Sequence, residues 1–211
     1  MSNTDKPDSA IRRSLYYSPN SPYARKCRII IAEKKLEGIE QIEVNAMENP
    51  PELLAVNPLG TVPALVTDDG LHLCDSQLIC EYLDGLPSAA PKLLTDDSGA
   101  RLCIMALAEM AHGMMDAAVM CVIEGRRPPE KQLESVTQRK EKALLRTIEK
   151  ISSANLDFTT PLTLGTLNLA IALLYVDFRL PHLGWRSKHA ALAQWADEMK
   201  MRPSFAATAP K

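Results

Sequence analysis

Two serines stand at the predicted starts of helices, where a hydroxyl group and free backbone N–H groups can bind an anion. Ser21 precedes Pro22 and an amphipathic stretch, and Ser76 follows Asp75 at the start of another helical pattern. The positive end of the helix dipole favours negative charge at both places. Ser21 could therefore stabilise a thiolate, and Ser76 could hold a carboxylate. The alternative for each is an ordinary N-cap, which contributes about 1 kcal/mol to helix stability.

Composition and charge limit the classes of protein to which the chain can belong. Its 211 residues carry 24 basic and 26 acidic side chains, a net charge of −2, and 46% of them are hydrophobic. This balance is typical of a globular protein, excludes a disordered tail protein and argues against a nucleic-acid binder that depends on phosphate neutralisation. No apolar run approaches the ~18 residues that cross a membrane. We therefore expect neither a nucleic acid nor a membrane as partner.

The five cysteines show no spacing that is typical of a metal site or of a thiol-exchange motif. They form no C-x-x-C pair and no metal-ligand spacing with the four histidines, and all of them stand among apolar residues. We interpret them as scattered buried thiols in a reducing compartment, so the sequence predicts a cytoplasmic protein without a metal. The cysteines are Cys27, Cys74, Cys80, Cys103 and Cys121.

Short apolar runs alternate with helical patterns in the first part of the chain, and they predict an α/β domain. The predicted order is βαβ, a linking turn and then ββα, with Asp68-Asp69-Gly70 as the hairpin between the last two strands. Strands are predicted at residues 15–17, 39–44, 62–67 and 71–73, and helices at residues 23–36, 51–56 and 75–83.

After Pro91 almost the whole chain is helical in pattern, which predicts a second, all-α domain. The pattern also predicts the domain boundaries. Helices are predicted at residues 97–125, 130–152, 163–180 and 190–201. The division is a flexible polar tail over residues 1–12, the α/β domain over 13–87, a linker over 88–96 and the all-α domain over 97–211.

A series of motifs in a fixed order resembles one known family. The motifs are S-P-Y-A-R-K at 21–26, N-P-L-G-T-V-P-A-L at 57–65, Asp-Ser at 75–76, L-T-L-G-T at 162–166, and the closing stretches 177–185 and 202–205. From residue 13 onward the chain resembles the glutathione S-transferases, and most of all their small bacterial YibF-like branch. The resemblance implies a thioredoxin-like N-terminal domain with a mixed sheet, an all-α C-terminal domain and usually a homodimer.

The resemblance makes Ser21 the candidate catalytic residue. Its hydroxyl would stabilise the thiolate of glutathione, because a thiol with a pKa of ~8.5 is mostly protonated at neutral pH. Ser18 is the alternative hydroxyl and Tyr16 or Tyr17 a further one, since relatives differ in the residue that faces the sulfur. Relatives that exchange disulfides carry cysteine where Ser21 stands, so glutaredoxin-like activity is not expected.

Two further motifs would hold the glutathione peptide. Pro63 matches a cis proline of the family, which leaves the backbone of Val62 free to pair with the cysteinyl unit like an added strand. Ser76 would bind the γ-glutamyl carboxylate at a helix N-terminus, and Asp75 would face the γ-glutamyl ammonium group. Relatives usually carry the longer Glu or Gln at position 75.

The glycine end of glutathione would lie near Thr61, which departs from the family pattern. Many relatives have Lys or Arg there, and that charge meets the glycine carboxylate. Because threonine carries no charge, we expect weaker glutathione binding than in relatives with the cation. Other candidates for this contact are Lys35, Asn45 and Asn57.

The predicted helix over residues 97–125 would supply one wall of an acceptor site between the domains. Met105, Ala108, His112 and Met115 share one stripe at helical spacing, and methionine adapts to varied apolar ligands. Core packing or a dimer contact explains the same stripe, so both interpretations stay open at this point.

These observations predict an enzyme that transfers glutathione to a small electrophilic substrate, with no metal and with a second copy of the chain as partner. A glutathione-dependent isomerase or dehalogenase is one alternative. A non-catalytic regulatory protein of the stringent starvation type is another, because such proteins resemble this chain in fold. Ser21, Val62-Pro63 and Asp75-Ser76 favour the enzyme, whereas Thr61 leaves the regulatory alternative open.

Overall fold

The structure is a computed structural model that describes residues 13–154 and 161–211. The polar tail predicted over residues 1–12 lies outside the described residues. The described chain divides into two compact units, one formed by residues 13–91 with 208–211 and the other by residues 92–207. The last four residues thus group with the first unit, whereas the sequence-based division places them in the second domain.

The first unit is built on a four-stranded mixed sheet. β1 pairs parallel to β2 and antiparallel to β3, which in turn pairs antiparallel to β4. β3 is shorter than the predicted strand 62–67 because Pro63, just before it, has no N–H to donate to a ladder. In the spatial order β2-β1-β3-β4, the strands are β1 (Arg13–Tyr17), β2 (Ile39–Glu43), β3 (Ala64–Val66) and β4 (His72–Cys74).

Three helices complete the first unit: α1 (Pro22–Glu33), α2 (Pro51–Val56) and α3 (Ser76–Gly85). α1 and α3 pack against each other, and both also contact the sheet. A separate apolar cluster forms around α2, where Leu53 packs with buried residues of the sheet and its loops. The cluster consists of Val44, Leu53 and Ala64, with Tyr16, Ile42, Ala46, Val56 and Val62 packed against it.

α1 ends three residues before the predicted end at Leu36, and a buried ion pair marks the place. The Lys34 ammonium group, just past the helix, donates to the Asp84 carboxylate at 2.9 Å and to the Asp84 carbonyl at 2.7 Å. Lys35 then takes a left-handed conformation, with φ at 50°, which ends the helix. Because a buried charge without its partner is costly, the pair fixes the ends of α1 and α3 together.

The second unit is helical, as the sequence predicts. The helix predicted from residue 130 begins only at Glu134, because a 3-10 turn over Pro129–Lys131 follows Pro128. The helices are α4 (Ser98–Gly125), α5 (Glu134–Ser152), α6 (Leu164–Arg179), α7 (Ala190–Lys200) and α8 (Pro203–Ala207). α4, α6 and α7 begin and end within one or two residues of their predicted bounds, whereas the short helix α8 was not predicted.

α6 begins with a reciprocal cap and lies very close to α4. The Thr166 N–H donates to the Thr163 hydroxyl at 3.2 Å, and the Thr163 N–H donates to the Thr166 hydroxyl at 3.0 Å. This capping box satisfies helix N–H groups without a carboxylate. At Gly165 the two helices approach so closely that a Cβ atom would lie 2.7 Å from the Ile104 carbonyl oxygen.

One helix of the described residues is long and apolar enough to pass a simple test for a membrane span. By length and composition α4 could cross a membrane, because its few charged residues leave an apolar window of 18 residues. The bent pair formed by residues 164–179 and 181–188 meets the same test only when its two parts are taken together. The core helix of a water-soluble protein passes this test too, so the finding is weak evidence for a membrane span.

Replacing Gly165 by alanine should destabilise the second unit by about 1–3 kcal/mol, since the new methyl group would meet the backbone of α4 rather than a movable side chain. Gly113→Ala in α4 is the matched control, because nothing lies within 4 Å of its Cβ position. That change should stabilise the helix by about 0.5–1 kcal/mol. Urea unfolding measures both, and equal midpoints for the two variants would contradict the close approach of α4 and α6.

Candidate functional site

Ser21 caps α1 and keeps its hydroxyl proton available. Its backbone is extended, with φ at −80° and ψ at 118°, and its Oγ accepts the Ala24 N–H at 3.2 Å. The Ser21 N–H donates to the Ser18 carbonyl at 3.0 Å. No residue in the described part of the chain accepts the Ser21 hydroxyl proton. Since a hydroxyl has one proton to donate, Ser21 can donate a hydrogen bond to an anion at the positive end of α1.

The other candidate hydroxyls near Ser21 are differently engaged. Ser18 donates its proton to the Val44 carbonyl at 2.6 Å. The Tyr17 hydroxyl donates to the Glu43 carboxylate at 3.2 Å. Burial raises the pKa of Tyr17, although the Arg28 guanidinium, 4.2 Å from the ring centroid, opposes this shift. Both hydroxyls therefore already donate to acceptors of the protein, which favours Ser21 as the donor to a ligand.

Tyr16 lies on the other side of the sheet from Tyr17, because side chains alternate along a strand. Its ring packs against the apolar cluster around α2, whereas the Tyr17 ring contacts Arg28 of α1. Ser21 caps α1, so Tyr16 is directed away from that helix.

Val62 presents a free stretch of backbone next to β3. The Val62–Pro63 peptide bond is cis, which confirms the prediction made from the family resemblance. Val62 is half-buried and lies outside the ladder, which starts at Ala64. Within the described residues its N–H and carbonyl make no hydrogen bond. An extended peptide can pair with such a backbone and add a strand.

The loop before Val62 is held from inside by Asn57. The side-chain amide of this fully buried residue donates to the Thr61 carbonyl at 2.9 Å and to the Thr61 hydroxyl at 3.0 Å, and its oxygen accepts the Leu59 N–H at 3.1 Å. Gly60 has φ at 63°, and a Cβ there would lie 2.8 Å from Oδ1 of Asn49. The sequence alone suggests Asn57 as a ligand contact, whereas in the structure its side chain holds the loop that leads to Val62. The signal for this internal role was its place at the start of an N-P-x-G turn, where Asn side chains bond to backbone N–H groups.

The start of α3 offers a second anion site. The Asp75 carboxylate accepts the N–H groups of Gln77 at 2.7 Å and Leu78 at 3.3 Å. The Ser76 N–H and hydroxyl bond to no other residue in the described ranges. Asp75 has φ at 76°, a conformation that L-residues seldom adopt and that costs about 1–3 kcal/mol. The surrounding turn therefore holds Asp75 and Ser76 in one fixed orientation.

A buried thiol connects the first turns of α1 and α3. The Cys27 sulfur lies 3.9 Å from each of three atoms, namely the Tyr23 carbonyl oxygen, the Ser76 carbonyl oxygen and the Cys80 sulfur. Burial raises the pKa of Cys27 well above its usual range, so the group stays a thiol. Cys27 is therefore a packing residue, in agreement with its interpretation as a buried thiol.

The interpretation of all five cysteines as buried was wrong in part. Cys27, Cys80 and Cys121 are buried, whereas Cys74 and Cys103 are exposed. Cys74 ends the sheet-edge strand β4, and Cys103 stands on an exposed part of α4, so apolar sequence neighbours did not predict burial. All five are free thiols. Residues 13–154 and 161–211 contain no group of three His, Cys, Asp or Glu residues that could hold a metal ion.

The residues considered for contact with the glycine carboxylate of glutathione lie in different parts of the first unit. Lys35 lies beyond the end of α1, a helix of 12 residues that spans about 18 Å from its start at Pro22. Asn45 caps a 3-10 turn, where it accepts the Met47 N–H at 3.2 Å and donates to Glu48 at 2.7 Å. Thr61 is exposed, and its hydroxyl oxygen accepts from Asn57, so its proton can point outward.

The candidate acceptor residues on α4 differ in burial. Met115 and Ala108 are completely buried in the second unit, which favours core packing for these two. Met105 and His112 are half-buried. The His112 ring lies 3.6 Å from the Asp116 carboxylate on the next turn. Only Met105 and His112 among these four keep surface that a substrate could touch.

The fold and these residues define a class of protein. It has a thioredoxin-like domain with a cis proline before its third strand and a second domain made of helices. Residues 15–91 match the family model of the glutathione S-transferase N-terminal domain. The uncharacterized GST-like protein YibF of Escherichia coli (strain K12) is 32% identical over 93% of this chain and 98% of its own length. The chain therefore belongs to the glutathione S-transferase family, as its motifs predicted.

Other relatives widen the comparison. A glutathione transferase family member from Pseudomonas fluorescens Pf-5, solved with bound glutathione, is 33% identical with a TM-score of 0.89 and covers 94% of this chain and 99% of its own. Another structure from that strain, with bound S-(propanoic acid)-glutathione, is 32% identical with a TM-score of 0.84, over 94% and 97%. A stringent starvation protein A homolog of Coxiella burnetii is 30% identical over 81% of this chain and 77% of its own.

In the Asn57→Ala variant the free energy of unfolding should fall by about 1–3 kcal/mol, because Thr61 and Leu59 lose a buried hydrogen-bond partner. Hydrogen exchange at the Leu59 amide should accelerate as well. Asn45→Ala removes a similar pair of hydrogen bonds from an exposed cap and should cost only about 0.5–1 kcal/mol. If both variants lost the same free energy, the loop would not depend on the buried amide.

Proposed function

We propose that this protein is a cytoplasmic glutathione transferase that joins the sulfur of glutathione to small electrophilic substrates. The observation that carries the proposal is the Ser21 hydroxyl, which accepts from its own helix and has its proton free to donate. A thiolate is a far better nucleophile than a thiol, and glutathione reaches the site mostly as the thiol. A residue that favours the anion therefore supplies the main catalytic contribution.

Ser21 would act on the sulfur in two ways. Its O–H donates to the thiolate, and a hydrogen bond to a charged group contributes about 1.5–3 kcal/mol. The N-terminus of α1, a helix of 12 residues, adds the positive end of its dipole. The proton lost by the thiol leaves to solvent. The thiolate then attacks an electrophilic carbon and forms a thioether, while the leaving group on that carbon, a halide ion for an aryl halide, departs to solvent with the electron pair of its broken bond. Ser21 needs no charge of its own and remains a hydroxyl throughout.

The peptide of glutathione would be held on both sides of the sulfur. The free N–H and carbonyl of Val62 pair with the cysteinyl unit. Ser76 donates its N–H and hydroxyl to the γ-glutamyl carboxylate, while Asp75 attracts the γ-glutamyl ammonium group. Thr61 contacts the glycine carboxylate through its hydroxyl, a neutral donor whose weaker attraction fits a modest affinity. Bound glutathione in the Pseudomonas relative supports glutathione as the ligand of this protein.

The acceptor would be a small apolar electrophile with access to Met105 and His112, the half-buried members of the α4 stripe. S-(propanoic acid)-glutathione, bound in a structure of a relative, is itself a thioether of glutathione and supports conjugation chemistry.

A homodimer in the cytoplasm would be the working form of the enzyme. Exposed apolar residues on both units supply surface for a second copy, and five free thiols fit a reducing compartment. The exposed apolar residues of α3, α4 and the turn before β4 include Leu71, Leu78, Leu102, Met120 and Ile123.

A regulatory protein without catalysis is the second candidate, and the similarity to a stringent starvation protein A homolog favours it. Such a protein would have no need for a hydroxyl proton at position 21. Calorimetry with glutathione, together with an assay of aryl halide conjugation, separates the two candidates. Absence of glutathione binding by the parent protein would contradict the transferase and leave the regulatory role.

Ser21→Ala should raise the pKa of bound glutathione towards its free value, because the donor to the thiolate is gone. Conjugation should fall by about tenfold to a hundredfold at neutral pH, which corresponds to the loss of one charged hydrogen bond. The loss should shrink as the pH rises, since the thiol then ionises without help. A pH profile of the parent, Ser21→Ala and Ser21→Thr measures this, and the threonine variant should retain most of the activity. An unchanged profile in Ser21→Ala would instead assign the sulfur to Ser18 or Tyr17.

Ser21→Cys should gain exchange activity with glutathione mixed disulfides, because a thiol at a helix N-terminus ionises readily and can form a mixed disulfide. The parent protein is the control, since its exposed Cys74 and Cys103 are already present in it. A variant that binds glutathione normally but gains no exchange activity would mean that position 21 does not face the sulfur.

A further inference from the structure

Two of the last four residues of the sequence, Thr208 and Lys211, contact the short segment that carries Ser21. The Lys211 N–H donates to the side-chain oxygen of Asn20 at 3.0 Å, directly before Ser21 in the chain. The Arg25 guanidinium donates through Nε to the Thr208 hydroxyl at 3.4 Å. These two contacts lie on either side of Ser21, and both belong to the first compact unit. We call residues 208–211 the C-terminal strap.

The contact between Arg25 and Thr208 is buried. Both side chains are about 5% exposed, and burial lowers the pKa of Arg25 to about 10. A guanidinium group taken out of water needs hydrogen-bond acceptors in fixed positions, because an unsatisfied buried donor costs about 1–3 kcal/mol or more. The Thr208 hydroxyl is one such acceptor. The strap is therefore tied to α1 at a place where a lost contact is costly.

Movement of Arg25 would be transmitted to Ser21. Arg25 stands one helical turn after Ser21, and its N–H donates to the Ser21 carbonyl at 3.1 Å. On the other side of Ser21, Asn20 is held by Lys211, and Ser18 is held by the Val44 carbonyl. The segment that carries the Ser21 hydroxyl is thus held by one hydrogen bond to Val44, just after β2, and by two hydrogen bonds to the strap.

We propose that the C-terminal strap positions Ser21, so that residues about 190 positions away in the sequence tune the activation of the thiol. This inference rests on the proposed transferase function. Thr208 is the main positioning residue, because its contact is buried, and Lys211 supports it through a surface contact. The two contacts of the strap are made with Asn20 and Arg25, in and just before α1, whereas Val62 and Ser76 belong to other segments of the unit. The strap should therefore change the pKa of the bound thiol and leave the affinity for the glutathione peptide unchanged.

The test compares Thr208→Val, which keeps the shape but removes the hydroxyl, with Thr208→Ser, which keeps the hydroxyl. The control is Thr147→Val in α5, which removes a half-buried hydroxyl bonded to the Ala143 carbonyl at 2.9 Å. Each variant is titrated with glutathione, whose thiolate is followed by ultraviolet absorbance, and with S-methylglutathione, which has no thiol to ionise. Melting curves check that every variant is folded.

In Thr208→Val the pKa of bound glutathione should rise by about 0.5–1 unit, which is about threefold to tenfold less thiolate at a given lower pH. The dissociation constant of S-methylglutathione should change less than twofold. Thr208→Ser and Thr147→Val should both keep the parent pKa. Asn20 is exposed, so the Asn20→Ala variant should fold. It should also raise the pKa of the bound thiol, but by less than Thr208→Val does.

Failure of this inference can be told apart from failure of the proposed function. A parent protein that binds neither glutathione nor S-methylglutathione would contradict the transferase itself. A parent that binds both and lowers the thiol pKa, together with unchanged thiol pKa values in Thr208→Val and Asn20→Ala, would overturn the strap alone. If Thr208→Val did not fold, Asn20→Ala would decide, and an unchanged pKa there would overturn the proposal.

Discussion

The first turns of α1 and α3 meet at one buried sulfur atom, and the candidate site depends on this contact. Cys27 touches a carbonyl oxygen from each of the two turns. The positive ends of both helices therefore lie close together, one with Ser21 and the other with Asp75 and Ser76. The thiolate form of glutathione is negative at its sulfur and has a carboxylate at its γ-glutamyl end, so two helix N-termini at close range would suit these two groups.

Two further sets of contacts hold the loop before Val62 and the far ends of α1 and α3. Asn57 uses its side-chain amide to hold the loop that ends at Val62, and Gly60 supplies the left-handed turn that the loop needs. At the far end of α1 and α3, the buried pair of Lys34 and Asp84 joins the helices again. The helices are thus tied at both ends, which leaves their first turns little freedom to separate.

Most of the fold was predictable because its signals are local. Pro22 after a serine begins a helix, and Asp97 caps another, so the starts of α1 and α4 followed from short-range rules. The end of α1 did not, because Lys34 finds its partner at Asp84, fifty residues later. Cys74 and Cys103 were wrongly expected to be buried, since apolar sequence neighbours do not tell which face of a strand or helix is covered.

The sequence by itself determined the family and the two kinds of domain, and it indicated Ser21, Val62-Pro63 and Asp75-Ser76 as candidate site residues, because each of them belongs to a short motif with a local conformation. Only the tertiary structure distinguished the candidate hydroxyls, since those of Ser18 and Tyr17 donate to Val44 and Glu43, which lie on β2 or just after it. Tertiary structure also placed Thr208 and Lys211 beside the segment of Ser21. Contacts between residues so far apart in the chain depend on how the elements pack, and no local pattern records them.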